Sequence, residues 1–476
     1  MGKCKRNSTA EVKQRKPLRA AKARISAPET TVRAQYRSAI GIDVHLNLLV
    51  CNFQTQLDDH REIRESREFY ADRTSLDEFA QWCSEKKPEI ILMESTGVLW
   101  YSPYEALERV GFQNSQLALI NARDAKATAG RKTDYKDAAR LSDLARAGHF
   151  SRSFVPPKDF RIQRLLARDI QKNKADLSRC TNRYQKMLNS TGCRASTVFS
   201  DVRGKAANAI LEAKISNAPN LEDIIKKNCR RLRATPEEIH SALNFVIDSA
   251  ISEQLAAIRN KIAQLEGYDA DAFSRLAKLQ EPYAKDIKFL MSISGIQERS
   301  ARLIYAELGP NLLEYFPDSE HFCSWLGICS GSNTSAGRQS SGKCPKGNKW
   351  LRRTLIECAN GLSLSKNFAG MDKFFAHKLV RGRRRAIVEL AHFLARVIFS
   401  VLTHQKPYEE RTTTAVRDVL VKRFNRVARQ LSGRTDLIVQ GDCLVEKATG
   451  AILAKISEFS PKPRSEPNVT EVREPS

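Results

Sequence analysis

Between residues 38 and 150, the hydrophobic and polar positions follow two different periods. Short apolar runs predict strands, and apolar residues recurring every three or four positions predict helices. We predict strands in AIGIDVHLNLLVCNF, REIRESREFYA, EIILMEST and SQLALIN, and helices starting at Thr74 or Ser75, near Tyr104, and after Gly130 with Thr133 or Asp134 as N-cap. Strands and helices in alternation predict a largely parallel sheet covered by helices, an α/β domain over residues 38–157.

The next segment, residues 158–285, is mostly polar with helical periodicity. One long helix is predicted over Phe160–Asn189. A second is predicted from Thr235, whose Thr-Pro-Glu-Glu start is typical of a capping box, to about Gly267. Two long amphipathic helices predict either a coiled-coil insertion that joins protomers or an ordinary helix pair within the chain.

Residues 286–410 are predicted to form a compact, mostly α-helical domain. The stretch SISGIQERSARLIYAELG resembles a helix-hairpin-helix with Gly295 in its turn. A Ser- and Gly-rich loop follows, then a helix starting near Asn348, then the apolar helix in RGRRRAIVELAHFLARVIFSVL, expected to pack back on the domain. Residues 411–476 are predicted to be a partly disordered extension.

The charge of the chain indicates a polyanionic partner. The formal net charge is +25 and the pI is about 9.7, which favours nucleic acid. Residues 1–37 hold eleven Lys or Arg against two Glu and few large apolar residues, so we predict a disordered basic arm. The body of the chain carries the rest of the excess.

The apolar and cysteine content favours a soluble cytoplasmic protein with no membrane partner. No uninterrupted apolar run has membrane-spanning length. The eleven Cys are scattered without a C-x-x-C pair, which suits reduced thiols better than disulfides or a zinc site.

Four acidic residues are the candidates for chemistry. Asp134 and Asp137 leave one helix face within a single turn, while Asp43 lies on the first predicted strand, two residues after a Gly, and Glu94 lies at the end of a buried one. Four carboxylates around one site require a divalent metal or strong desolvation. Each acid alone is equally typical of a cap or a strand end, but the set inside a basic α/β domain predicts a metal site for phosphodiester chemistry.

The motifs GIDVH, MESTG, KTDYKDAARLSDLARAG, SISGIQERSARLIYAELG and WLGICSGSNTSAGRQSSGKCPKGNKWLRRTL together resemble one family. They resemble the DEDD transposases that insertion sequences encode, which are known as bridge-RNA-guided recombinases. They also resemble the related pilin-gene-inverting enzymes. The resemblance covers roughly residues 38–408. It implies an RNase H-like, RuvC-type first domain, a coiled coil, and a helical transposase domain that contributes a serine.

The resemblance assigns roles to individual residues. It implies that Asp43, Glu94, Asp134 and Asp137 hold Mg²⁺, and that Ser335 in NTSAG is the nucleophile. Ser341 in SSGK is a second candidate. Ser330 and Thr334 stand where the family commonly has Pro and an acidic residue, so the loop departs from the family pattern.

The resemblance also implies partners: donor and target DNA, a structured guide RNA that reads sequence by pairing, and a second or further copies of the chain in a dimer or tetramer. The basic residues near the serine loop and the last helix are the candidates for phosphate contacts: Arg338, Lys346, Lys349, Arg352, Arg353, Arg383 and Arg384.

Two other interpretations remain open at this stage. The chain could be an RNase H-like metal-dependent nuclease or junction resolvase that uses water. It could instead be an inactive DNA-binding derivative of a transposase. The first differs from a serine transposase in forming no covalent protein–DNA adduct, and the second in cutting no DNA.

Overall fold

A computed structural model gives the fold of the chain. It describes residues 24–26, 34–58, 61–94, 97–121, 133–230, 232–329, 333–335, 338–341, 343–365, 371–409, 437–440 and 443–455. The chain divides into two compact units, Met1–Arg161 and Ile162–Ser476.

The first unit is a mixed α/β layer structure. Its elements are β1 (Arg24–Ser26), β2 (Ser38–Val44), β3 (Leu48–Gln56), β4 (Glu62–Tyr70), α1 (Arg73–Lys86), β5 (Ile90–Glu94), α2 (Tyr101–Arg109), β6 (Leu117–Ile120) and α3 (Asp134–Ala147). The six strands form one sheet in the order β1-β4-β3-β2-β5-β6. Strands β2, β5 and β6 run parallel, while β1 to β4 pair antiparallel.

Each face of this sheet is covered. One face packs on α1 and α2 through Ile40, Ile42, Phe79 and Leu107. The other face packs on α3 in a second apolar cluster: Ala39, Ile90, Leu92, Ala118, Ile120, Leu141 and Ala145. Because side chains alternate along a strand, odd positions of β2 and even positions of β5 face α3. The predicted α/β domain with helix-covered strands is therefore confirmed. The expectation of a largely parallel sheet was wrong, because two of the described strand pairs are parallel and three are antiparallel. Short connections join β2 to β3 and β3 to β4, and such connections link antiparallel strands.

One local prediction in this unit was wrong. The run AIGIDVHLNLLVCNF is a hairpin of β2 and β3 rather than one strand, since His45 N–H donates to the Leu48 carbonyl and turns the chain. Apolar residues on both sides of the turn hid it. Helix α1 starts at Arg73, one residue before the predicted start at Thr74 or Ser75, and Asp72 caps it by accepting from Ser75 N–H through its carboxylate.

The second unit is mainly helical. Beyond α4 (Lys158–Ser190), which begins in the first unit, it contains α5 (Ala195–Val198), α6 (Lys205–Ile215), α7 (Leu221–Cys229), α8 (Pro236–Ala242), α9 (Ser249–Leu279), α10 (Ala284–Met291), α11 (Glu298–Leu308), α12 (Ser319–Leu326), β7 (Asn333–Ser335), β8 (Arg338–Ser341), α13 (Lys349–Leu362), α14 (Met371–Arg381), α15 (Arg383–His404), β9 (Leu437–Gln440), β10 (Cys443–Glu446) and β11 (Ile452–Lys455).

Helices α4 and α9 pack against each other and run antiparallel. Ala167 and Ile170 of α4 share a cluster with Ala272 and Leu276 of α9. Nearer the other ends, Tyr184 and Leu188 meet Leu255 and Ile258 in a cluster that also takes in α6 and α8. The described residues therefore contain a long helix pair within one chain.

The predicted helix over residues 235–267 was wrong in extent. The capping box is present, with Thr235 Oγ accepting from Glu238 N–H and the Glu238 carboxylate accepting from Thr235 N–H. Yet α8 ends at Ala242, and α9 starts anew with Asp248 as its N-cap and runs through Gly267. The apolar residues between them suit a buried connection, because Leu243 and Phe245 lie in the core.

Helices α10 and α11 form the two helices predicted for this stretch, with Gly295 at φ +89° in the turn between them. Helix α15 is apolar and long enough to cross a bilayer by composition alone. Its apolar side chains instead lie in the core, including Ile387, Leu390, Leu394 and Ile398. The expectation that this helix packs back on its own domain is confirmed. Residues 456–476, predicted to be frayed, lie outside the described residues.

Candidate metal centre

Asp43 and Glu94 lie side by side at the carboxyl ends of two parallel strands. In the β2–β5 register Ile42 pairs with Met93, so the next residues on each strand are these two acids. Both occupy positions that face α3, because they continue the alternation of Ala39 and of Leu92. The carboxyl end of a parallel sheet is where ligands usually bind.

Helix α3 brings the second pair of acids to the same place. Thr133 Oγ caps its start by accepting from Lys136 N–H, so Thr133 rather than Asp134 is the N-cap. Asp134 and Asp137 fall in the first turn, where the helix dipole favours negative charge. They continue the buried stripe of Ala138 and Leu141 beyond the edge of the sheet.

Gly41 lets α3 lie directly on β2. A Cβ at this position would stand 2.3 Å from the Ala138 carbonyl oxygen and 2.3 Å from Ser142 N. No residue with a side chain fits against a backbone that close. The glycine two residues before Asp43 therefore sets how near α3, with its acids, approaches the strand.

A buried polar network holds α3 in register with the sheet. Gln54 Nε2 donates to Ser142 Oγ at 2.6 Å and to the Ala139 carbonyl at 3.2 Å. Ser142 Oγ donates to Asn52 Oδ1 at 2.6 Å, and Asn52 Nδ2 donates to Ser66 Oγ. Buried networks of this kind specify one arrangement of the packed elements. The sequence pattern alone does not reveal these hydrogen bonds.

Three donor atoms converge at the edge of this assembly. His45 Nε2 lies 3.1 Å from Asp43 Oδ2 and 3.6 Å from Asp134 Oδ1. One ligand atom from each residue lies within 4.8 Å of the others. Adjacent ligands on an octahedral ion stand about 3 Å apart when each bond is about 2.1 Å long. The three residues therefore fit a small divalent cation.

The electrostatics of Asp43 reflect all four acids. Burial raises the pKa of its carboxyl, and His45 lowers it, while the negative charges of Asp134, Asp137 and Glu94 raise it further. Like charges that perturb one another in this way are relieved by a bound cation. The three ligand atoms and the negative charge around Asp43 therefore both suit a divalent metal ion.

The structure brings together three side chains, two of which were predicted from the sequence to bind metal. Asp43 and Asp134 share the donor cluster, while Glu94 and Asp137 contribute to the field at Asp43. His45 was missed. The available signal was its position two residues after Asp43, where the strand alternation points a side chain to the same face.

The serine loop is described through its backbone. Ser335 ends β7 and pairs in register with Arg338, the first residue of β8, so the two strands form an antiparallel pair. Ser341 ends β8. Ser330 lies outside the described residues, as do the side chains of Thr334, Ser335, Arg338 and Ser341.

Two glycines hold the ends of this loop together. A Cβ on Gly347 would stand 2.3 Å from the backbone carbon of Leu326, and one on Gly327 would stand 2.6 Å from the Pro345 carbonyl oxygen. Asn348 N–H donates to the Trp325 carbonyl beside them. The segment between the two glycines therefore leaves and re-enters the helical core at one point.

A buried carboxylate anchors the helix that follows the loop. Glu307 is fully buried on α11 and pairs with Arg164 and Arg168 of α4. Asn348 Nδ2 donates to Glu307 Oε2 at 2.8 Å, while Asn348 Oδ1 caps α13 by accepting from Trp350 N–H and Leu351 N–H. The predicted helix start near Asn348 is confirmed.

Most of the candidate phosphate-binding residues are exposed. Lys346, Lys349, Arg383 and Arg384 lie at the surface, and Arg353 is exposed with an ion pair to Glu357. Arg352 is half-buried and donates to the Pro345 carbonyl. Lys346, Lys349 and Arg353 flank the start of α13, where helix amide groups favour anions.

Comparison with protein families gives two matches. Residues 40–192 match the family of DEDD transposases of the IS110 type, described as Transposase. Residues 287–376 match the family described as Transposase IS116/IS110/IS902 family. None of the curated proteins compared with the chain matches it. The first match contains Asp43, Glu94, Asp134 and Asp137, and the second contains Ser335.

The two matches follow each other along the chain and together span about half of it. The first includes the strands and the helix that carry the acids, and the second includes the loop with its two glycines. Acidic residues meeting at a sheet edge in a strongly basic chain fit an enzyme that acts on DNA. This chain belongs to the IS110-type family of DEDD transposases.

Proposed function

We propose that this transposase cuts and rejoins DNA with a Mg²⁺ site formed by Asp43, Glu94, Asp134 and Asp137 and with Ser335 as nucleophile. One observation carries the proposal: the carboxyl ends of β2 and β5 and the first turn of α3 meet, so that the charges of three other acids act on Asp43. Bound Mg²⁺ would stabilise negative charge on the phosphate oxygens.

The acids have a defined task in this proposal. Asp43 and Asp134 supply oxygen ligands from the sheet edge and the helix start, and Glu94 and Asp137 add the charge that favours a divalent over a monovalent cation. Gly41 and the Asn52–Gln54–Ser142 network hold α3 at the sheet. The site is thereby preorganised, which saves reorganisation energy during the reaction.

The serine has a different task. Its hydroxyl attacks a DNA phosphodiester, a deoxyribose oxygen leaves with a proton, and a phosphoserine links protein to DNA. Attack by the hydroxyl of a second DNA end then restores the serine. Ser341 is the alternative nucleophile, three residues beyond Arg338 on β8.

We propose in addition that a structured RNA guides target choice and that copies of the chain act together. The support is the net charge of +25 and the exposed Lys and Arg near the start of α13. The RuvC-type fold of the first unit and a coiled-coil role for α4 and α9 belong to the same proposal.

The decisive experiment compares serine and acid variants of the full chain on DNA carrying the element ends. Ser335→Ala should abolish both strand exchange and the covalent adduct, whereas Ser341→Ala should retain them. Asp134→Asn should reduce cleavage by at least about 100-fold, and Asp143→Asn on the same helix is the matched control. Cleavage by Ser335→Ala without an adduct would instead indicate a nuclease that uses water.

The RNA is tested separately. Nucleic acid that copurifies with the chain is sequenced, and the proposal expects segments complementary to the element ends and the target. Purified protein that exchanges strands after complete RNA digestion would overturn RNA guidance while leaving the metal and serine chemistry intact.

A further inference from the structure

His45 presents a buried nitrogen that makes no hydrogen bond with any described residue. Its Nε2 is buried, and no hydrogen-bond partner for it exists among the described residues. The same atom lies 3.1 Å from Asp43 Oδ2 and 3.6 Å from Asp134 Oδ1, yet neither contact has hydrogen-bond geometry. A buried polar atom without a partner is costly, and such atoms in native proteins call for an explanation.

Metal coordination explains this atom better than packing does. Nε2 points between two carboxylates, so a cation bound by both would also contact the ring nitrogen. His45 starts the turn between β2 and β3, where its N–H donates to the Leu48 carbonyl, and this bond fixes the backbone from which the ring projects. About two-fifths of the side chain remains exposed, which leaves the cluster open to an ion from solution.

We infer that His45 is a metal ligand and that it makes this site prefer a transition-metal ion such as Mn²⁺ over Mg²⁺. The inference rests on the proposed metal site and adds a residue and a selectivity to it. Carboxylates alone suit Mg²⁺ well, whereas an imidazole nitrogen is a softer donor that favours first-row transition metals. A set of two carboxylates and one imidazole therefore shifts the preference toward Mn²⁺.

Binding measurements on the full-length, RNA-depleted protein test the selectivity. Mn²⁺ is titrated calorimetrically into wild type, His45→Ala and His149→Ala, and Mg²⁺ is titrated in parallel. His149 is an exposed histidine at the other end of α3 and is the matched control. His45→Ala should weaken Mn²⁺ binding by at least about tenfold while changing Mg²⁺ binding less. Equal losses for both ions would overturn the selectivity.

Pulsed electron paramagnetic resonance tests the ligand directly. Bound Mn²⁺ should show hyperfine coupling to one ¹⁴N nucleus in wild type and in His149→Ala, and this coupling should vanish in His45→Ala. Thermal unfolding of each variant in EDTA checks that the fold is retained.

The outcomes separate this inference from the proposed function. If Mn²⁺ binds without ¹⁴N coupling, or if the coupling persists in His45→Ala, His45 is not a ligand and the acidic site still stands. If wild type binds neither ion, the metal site itself is wrong.

Discussion

The backbone of Ala138 lies so close to Gly41 that a methyl group on the glycine would stand 2.3 Å from the Ala138 carbonyl oxygen. This contact joins the strand that carries Asp43 to the helix that carries Asp134 and Asp137. The space between two secondary-structure elements therefore determines how far apart the acids stand.

Gly41→Ala should both destabilise the protein and impair the metal site. The new methyl must push α3 away from β2, and overpacking of this kind costs about 1–3 kcal/mol. The same displacement moves Asp134 from Asp43. Urea unfolding measures the first effect and Mn²⁺ titration the second. Unchanged metal affinity in a folded Gly41→Ala variant would contradict the role given to this contact.

Gly267→Ala should have the opposite effect on stability. This glycine is exposed in the middle of α9, and a Cβ there would meet nothing within 4 Å. Alanine in a helix interior is favoured over glycine by about 0.5–1 kcal/mol. The free energy of unfolding should rise by that amount, and metal affinity should not change. A loss of stability would mean that the helix is not regular at this residue.

The sequence pattern predicted the elements that carry the four acids, but it missed two breaks between elements. Periodicity predicted the strands that hold Asp43 and Glu94 and the helix that holds Asp134 and Asp137, because each lies in an element with a clear apolar pattern. It missed the turn at His45, since apolar residues continue on both sides. It also predicted one helix where α8 and α9 are separate, because Leu243 and Val246 continue the helical apolar spacing of Ile239. In the structure Leu243 is buried in the connection between the two helices, whereas Val246 is exposed.

The supporting contacts could not be predicted because they join distant residues. Nothing local in Gln54 or Ser142 indicates that they bond across the sheet–helix interface. Glu307 resembles any helical glutamate in sequence, yet two arginines more than a hundred residues earlier make it a buried ion-pair centre. Long-range pairing of polar residues leaves no periodic signal.

Metal removal should reveal the mutual repulsion of the acids. Burial and the charges of Asp134, Asp137 and Glu94 raise the pKa of Asp43 above its ordinary value. A carboxyl with a raised pKa in the folded state destabilises the fold when ionised, and this cost is relieved as the pH falls through that pKa. In EDTA at neutral pH, Asp43→Asn should therefore raise the Tm.

Added divalent metal should make the wild type more stable than Asp43→Asn, because the metal stabilises the wild type but not the variant. The wild-type metal affinity should also fall as the pH is lowered, starting at a higher pH than an ordinary aspartate would allow, because protons compete for Asp43. Differential scanning fluorimetry with and without metal checks both statements. If Asp43→Asn were less stable than wild type in EDTA, the proposed repulsion between Asp43 and the neighbouring acids would be refuted.

Glu307→Gln should destabilise the second unit. The buried carboxylate pairs with Arg164 and Arg168, and its removal leaves Arg164, itself nearly buried, without its ionic partner. Breaking a buried pair costs about 3–5 kcal/mol. The exposed carboxylate of Glu357, which pairs with Arg353 and Lys174, offers a control, since Glu357→Gln should cost less than about 1 kcal/mol. Similar losses for the two variants would argue against Glu307 as the anchor.

Gly347→Ala should impair the function of the serine loop without affecting metal binding. The glycine packs against the Leu326 backbone, and a Cβ at position 347 would stand 2.3 Å from the Leu326 backbone carbon. The substitution must therefore push the two ends of the loop apart. Metal binding by the first unit does not depend on this contact and should keep its wild-type affinity. Strand exchange and the covalent adduct should fall together, because both need the serine in place. Gly361→Ala on α13, where a Cβ meets nothing within 4 Å, is the control and should retain full activity. If Gly347→Ala kept the adduct but lost metal binding, the serine loop would not be held in the way proposed, and the division of labour between the acids and the serine would have to be abandoned.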